Sequence, residues 1–129
     1  MFTVKQIHAA HSKVKSGADF PNYMQDLIKL GVISFETFVN DSHSVYFGAN
    51  DFKTQSEGKY DPMEIATNAN KDQFISDLKS HQKGGTDYMT FCQDCAKSGI
   101  EKWIVKTKHM TCTYFDKAGN EILVEVIPS

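Results

Sequence analysis

Gly85-Thr86-Asp87-Tyr88-Met89-Thr90-Phe91-Cys92-Gln93-Asp94-Cys95-Ala96-Lys97-Ser98-Gly99 is the stretch that decides the fold, because the chain has already run through the same scheme as Gly17-Ala18-Asp19-Phe20-Pro21-Asn22-Tyr23-Met24-Gln25-Asp26-Leu27-Ile28-Lys29-Leu30-Gly31. In each, a glycine is followed two residues later by aspartate, and a second glycine stands twelve residues beyond that. The aspartate reads as a helix N-cap, whose carboxylate accepts from orphan N–H groups and complements the dipole. The closing glycine reads as the left-handed residue that ends the helix. The punctuation is helical and needs no active site to explain it.

Displacing the sequence by 68 positions lays residues 5–48 over 73–116 without a gap. Identities fall at Ile7/Ile75, Ser12/Ser80, Lys15/Lys83, Gly17/Gly85, Asp19/Asp87, Gln25/Gln93, Asp26/Asp94, Lys29/Lys97, Gly31/Gly99, Tyr46/Tyr114 and Phe47/Phe115. Phe20/Tyr88, Tyr23/Phe91, Val32/Ile100 and Phe35/Trp103 are conservative matches. Two copies of a helix–helix–hairpin unit are expected, at about 2–48 and 70–116, followed by a C-terminal strand over 121–127.

In the first copy, Thr3 and Gln6 have the spacing of a capping box, with Phe2 and Ile7 as the hydrophobic staple. Val4, Ile7, Ala10, His11 and Val14 continue at helical spacing to Gly17. Residues 32–39 and 43–48 read as a hairpin around Asn40-Asp41-Ser42. In the second copy Trp103, Val105 and Thr107 lead into 110–115 and a turn over 116–120. Along the last strand Ile122, Val124 and Val126 alternate with Leu123, Glu125 and Ile127, so both faces are apolar enough for partial burial. Residues 49–69 read as a polar connector, with Pro62 opening a short helical turn through Met63, Ile65 and Ala66. The expected class is α+β, with two tandem helix–helix–β-hairpin units packed into one domain and an antiparallel sheet carrying its helices on one side. Each copy alone is small for an independent core.

Bulk properties narrow the function classes. The 129 residues are 40% hydrophobic, 23% charged and 12% aromatic, an ordinary globular composition. A net charge of −2 supplies no basic excess for a phosphate backbone, so no nucleic-acid partner is expected. The opening Met1-Phe2-Thr3-Val4-Lys5-Gln6 lacks the basic start and apolar run of a secretion signal. No apolar run approaches the ~18 residues of a membrane span. Three cysteines cannot all pair, which points to a reduced, cytoplasmic protein.

The segment His81-Gln82-Lys83-Gly84-Gly85-Thr86-Asp87-Tyr88, with Gly99-Ile100-Glu101-Lys102-Trp103-Ile104 and Met110-Thr111-Cys112-Thr113-Tyr114-Phe115-Asp116, resembles the YdfO-like family of small bacterial proteins. Several members are carried on cryptic prophages and are sometimes labelled phage envelope protein. The opening residues 1–21 match as well, so the resemblance spans nearly the whole chain. It implies a fold and a prophage habit, and supplies no catalytic residues. The envelope label implies a virion or membrane role for which this composition gives no support.

Cys92, Cys95, His109 and Cys112 form the sharpest chemical candidate, three thiols and an imidazole suited to tetrahedral zinc. Against it, Cys92 and Cys95 align with Met24 and Leu27 on an apolar helical stripe, where cysteine acts as a small hydrophobe. A thioredoxin-like pair is weaker still: the helix starts near Asp87, well before Cys92, and Asp94 adds negative charge. Core thiols are therefore expected, with no cofactor. His8 and His11 could share a metal, but their counterparts Ser76 and Lys79 suggest solvated positions. His43 falls at a hairpin turn, and His81 near a helix end.

Gln25-Asp26 and Gln93-Asp94 suit i,i+3 pairing with Lys29 and Lys97. A functional alternative is a symmetric polar surface. Phe35, Tyr46, Phe47, Trp103, Tyr114 and Phe115 are expected to fill the core, and any left exposed would make a protein-binding patch. No Gly-x-Ser-x-Gly, P-loop or His-Glu-x-x-His motif occurs. The leading expectation is a non-enzymatic interaction protein acting on a host or phage protein. The alternative is a small-molecule or metal-binding protein, or an enzyme, with its site between the copies.

Overall fold

The structure, a computed structural model, describes residues 2–14 and 19–127. Two helices, α1 (Val4–His11) and α2 (Phe20–Leu30), precede three strands, β1 (Ser34–Phe38), β2 (Ser44–Phe47) and β3 (Lys53–Gln55). The same order follows in α3 (Lys71–Gln82), α4 (Tyr88–Lys97), β4 (Lys102–Lys106), β5 (Thr111–Phe115) and β6 (Glu121–Val126). All ten elements belong to an α+β fold with one six-stranded antiparallel sheet, ordered β3-β2-β1-β4-β5-β6.

The helix ends follow local chemistry. Thr3 and Gln6 close a full capping box, and Asp87 accepts from the Thr90 N–H at 2.8 Å. Asp19 differs from expectation: it stands at the N-cap of α2 without a side-chain cap bond. Its backbone is helical instead of extended, and Pro21 removes the N–H at the second helical position. The end of α1 also departs from expectation, at His11 instead of continuing to Val14. There the Ser12 hydroxyl donates to Ala9 O, and i→i+3 bonds from Lys13 and Val14 tighten the chain. The expected stop at Gly17 lies outside the described residues. Gly31 and Gly99 both take positive φ, and Val32 and Ile100 donate back to Leu27 O and Cys95 O, the bond that closes a Schellman end. At Gly99 a side chain is excluded twice over, since a Cβ would lie 2.7 Å from Asn68 O.

The central pairing joins β1 to β4 with Glu36 opposite Ile104. Beyond its ends, Val39 donates to Glu101 O and Thr107 to Ile33 O, so the ladder is extended alike in both directions. Ser34 pairs with Phe47 in the first hairpin and Lys102 with Phe115 in the second, a constant displacement of 68. Ser42 and Met110, also 68 apart, both take positive φ in the hairpin turns.

The connector expectation fails at its start. Residues 53–55 form β3, because Asn50 and Asp51 both adopt positive φ and Phe52 donates to Ala49 O, a type I′ turn that returns the chain along β2. The helical turn after Pro62 is also absent. Residues 62–66 are non-helical, and their N–H groups go elsewhere: Met63 to Asn40 O and Ala66 to Ala96 O.

Alternation sends Tyr46, Phe35, Val105 and Cys112 to one face of the sheet in one row, and Thr37, Trp103 and Tyr114 in the next. The helices cover this face with Ile7, Met24, Leu27, Phe74, Leu78, Phe91 and Cys95, in one continuous hydrophobic cluster. The Phe74 ring packs 4.8 Å from Tyr114.

Candidate functional site

Among the described residues the opposite face of the sheet carries no helix. Three rows cross it. Lys53, Phe47, Ser34, Lys106, Thr111 and Val126 form the first, and Gln55, Val45, Glu36, Ile104, Thr113 and Val124 the second. His43, Phe38, Lys102, Phe115 and Glu121 form the third. A solvated antiparallel face ordinarily alternates to polar residues. Here three phenylalanines, an isoleucine and three valines share it with threonines and lysines. Of its large hydrophobic residues Val124 and Val126 are the most exposed, at 51% and 77%.

The polar groups on this face hold the rings in place. Lys102 Nζ lies 3.6 Å from a Glu36 carboxylate oxygen, and 5.6 and 5.7 Å from the Phe38 and Phe115 ring centres. His43 stacks on Phe38 at 4.6 Å, while its Nδ1 is 2.6 Å from Asp41 Oδ1. His43 also donates its backbone N–H to Asp41, and desolvation at Asp41 is outweighed by these contacts, which lower the carboxyl pKa. Lys53 and Lys106 at the margin are exposed, and among the described residues neither forms an ion pair.

The sequence candidates are distributed differently. Cys92 and Cys95 are fully buried in α4, Cys112 is buried on β5, and His109 is exposed in the turn before it. Among the described residues no group of three or more His, Cys, Asp or Glu is arranged to hold a metal ion. Burial pushes all three thiols up, Cys112 to about 12, which keeps them protonated and poor as nucleophiles or ligands. For Cys92, the neighbouring Tyr60 and Tyr88 hydroxyls and the Lys59 charge partly offset the burial.

His8 and His11 are exposed on α1. The His11 ring packs edge-on to Tyr23 at 5.2 Å, where desolvation, then Lys59 and His8, lower its pKa. His81 stacks on Phe91 with Nδ1 3.0 Å from Thr86 O, which holds the loop ahead of α4. Among the described residues the ion pairs are Asp41–His43 and Glu36–Lys102, so neither Asp26–Lys29 nor Asp94–Lys97 closes.

A second polar cluster escaped the sequence reading. Ser42 Oγ and Tyr88 OH are 2.5 Å apart, and Tyr60 OH donates to Val39 O. Lys59 stands 5.7 Å from the Tyr88 ring centre and donates its backbone N–H to Asp41 O. These contacts strap residues 56–63 and the start of α4 to the first hairpin turn. Ser42 is fully buried, so its hydroxyl serves as a strut. The Asn50-Asp51 pair was the available signal that this segment folds back. Beside it, a cavity of about 480 Å³ is lined by Val4, His8 and residues 55–59.

No helix among the described residues is long and apolar enough to cross a membrane. No curated protein matches the chain significantly. Residues 8–126 match a family described as "Protein of unknown function (DUF1398)". A match over that share of the chain assigns it: the protein belongs to the DUF1398 family.

Proposed function

We propose that this chain is a cytoplasmic, non-enzymatic protein-interaction module of the prophage-accessory kind, and that its contact surface is the uncovered face of the sheet. The observation that carries the reading is the set Phe38, Val45, Phe47, Ile104, Phe115, Val124 and Val126 on a sheet face left without a helix. Aromatic anchors within a polar rim are the usual composition of an interface centre. The free lysines Lys53 and Lys106 at the margin fit a host or phage protein whose own surface is apolar at its centre and acidic at its rim. The constant displacement between the two hairpins supports a duplicated origin, with both copies in one domain. Buried thiols suit a reducing compartment.

The test compares capture by three forms of the chain. A protein retained by wild type should be lost with Ile104→Lys and kept with the helix-side pair Gln25→Ala and Asp26→Ala. Retention by Ile104→Lys with loss in the helix-side pair would transfer the contact surface to the helices.

A second reading, binding of a small anionic molecule, rests on the cavity between α1 and residues 55–59, where His8 and Lys59 stand. A thermal shift with small carboxylates or phosphate, abolished by Lys59→Ala, would support it.

A further inference from the structure

The two edges of the sheet differ in their backbones. Edge strand β3 has three residues, bears Lys53 and Gln55, and runs straight into the segment tied to the first hairpin turn, where Ser56 donates to Ser44 O. Such an edge is short and charged, both of which discourage pairing. Edge strand β6 has six residues, Glu121-Ile122-Leu123-Val124-Glu125-Val126, with neither lysine nor proline.

Its hydrogen-bond phase is fixed by Ile127, which donates to Met110 O at 2.7 Å. Antiparallel ladders alternate between bonded and non-bonded pairs. Glu125 opposite Cys112 and Leu123 opposite Tyr114 are therefore bonded to β5. Val124 and Val126 turn their N–H and C=O groups outward, and among the described residues these groups meet no other backbone partner. They are also the two most exposed of the large hydrophobic residues.

We propose that β6 pairs with β6 of a second copy, antiparallel and two-fold symmetric about Val124, to give a continuous twelve-stranded sheet. A row of alternating donors and acceptors is matched by another strand, and this strand is complementary to itself. Centred on Val124, the register sets Val124 against its own equivalent, Ile122 against Val126, and Leu123 against Glu125. No two carboxylates stand opposite each other. A register centred on Glu125 would oppose two of them, which is destabilising, and the Glu125 carboxylate already accepts from Gln82 Nε2 at 3.1 Å. The two-fold brings both uncovered faces to the same side of the joined sheet. The proposal stands on the edge backbone and is independent of what binds the face.

One strand pair is small beside the roughly 800 Å² per partner of a standard interface, so a dimer in exchange with monomer is expected. Sedimentation equilibrium of the full chain from micromolar to several hundred micromolar should show the mass rising from 14.5 kDa toward twice that value. Val124→Lys should hold it at the monomer mass. Val124→Pro should do the same with an unchanged circular dichroism spectrum, because the lost N–H makes no bond within the monomer. Amide exchange gives a reading without any variant: the Val124 and Val126 amides should gain protection as concentration rises, while the Lys53–Gln55 amides should not. A mass that stays monomeric throughout would overturn the proposal. So would a dimer that survives Val124→Lys but is lost with Phe47→Lys, which would mean face-to-face association.

Discussion

Tyr46 and Phe47, and again Tyr114 and Phe115, are adjacent aromatic residues sent to opposite faces of one sheet. The tyrosines are buried beneath the helices, whereas the phenylalanines lie half-buried on the bare side. Residue type is nearly the same on both faces, and the difference lies in what covers them. Apolar residues under the helices hold the fold together. Those on the bare face contribute less to stability and remain available for contact, so the two faces can be separated by experiment.

The largest effect is expected on the covered face. Tyr114→Ala should cost about 3–5 kcal/mol in urea denaturation, since it empties the space against Phe74 and Trp103. The covered face should also respond to alkali. Burial raises the Cys112 thiol from its ordinary 9.0 to about 12. Between those values the unfolded chain releases the proton and the folded chain keeps it, so stability should fall as pH rises above 9. Cys112→Ala should reduce that slope when unfolding is followed at several alkaline pH values.

Smaller effects are expected on the bare face. Phe47→Ala should cost about 1 kcal/mol in the same denaturation series. A loss equal to that of Tyr114→Ala would erase the distinction between the faces. Val126→Thr, at the most exposed of the large hydrophobic residues, should stay within about 0.5 kcal/mol of wild type. A loss of several kcal/mol there would mean that the bare face is buried in solution.

Much of the architecture was legible because local chemistry and tertiary packing agree. The Gly–Asp–Gly spacing located α2 and α4, and period-two alternation located β1, β2, β4, β5 and β6. Readings failed where a local rule was overridden or incomplete. Asp19 carries the right residue for a cap, but Pro21 withholds a donor and the backbone is already helical. Pro62 suits a helix start, yet Met63 and Ala66 spend their N–H groups on distant carbonyls. Strand β3 was hidden by its polar residues, Lys53, Thr54 and Gln55, which look like loop when only side chains are read.

The candidate surface was only half legible. Apolar residues on both faces of the last strand could be seen in Ile122, Val124 and Val126 set against Leu123 and Ile127. Which of the two faces the helices leave bare depends on how helices and sheet pack, and alternation alone is indifferent to that. The strut from Ser42 to Tyr88 joins residues 46 apart in sequence and has no local signature.

The most direct measurement is photo-cross-linking in living cells, with benzoylphenylalanine placed at Ile104 on the bare face and, separately, at Gln25 on the helix side. The expected result is a discrete cross-linked protein from position 104 and none from position 25. A discrete product from position 25 with none from position 104 would contradict the assignment of the uncovered face as the contact surface.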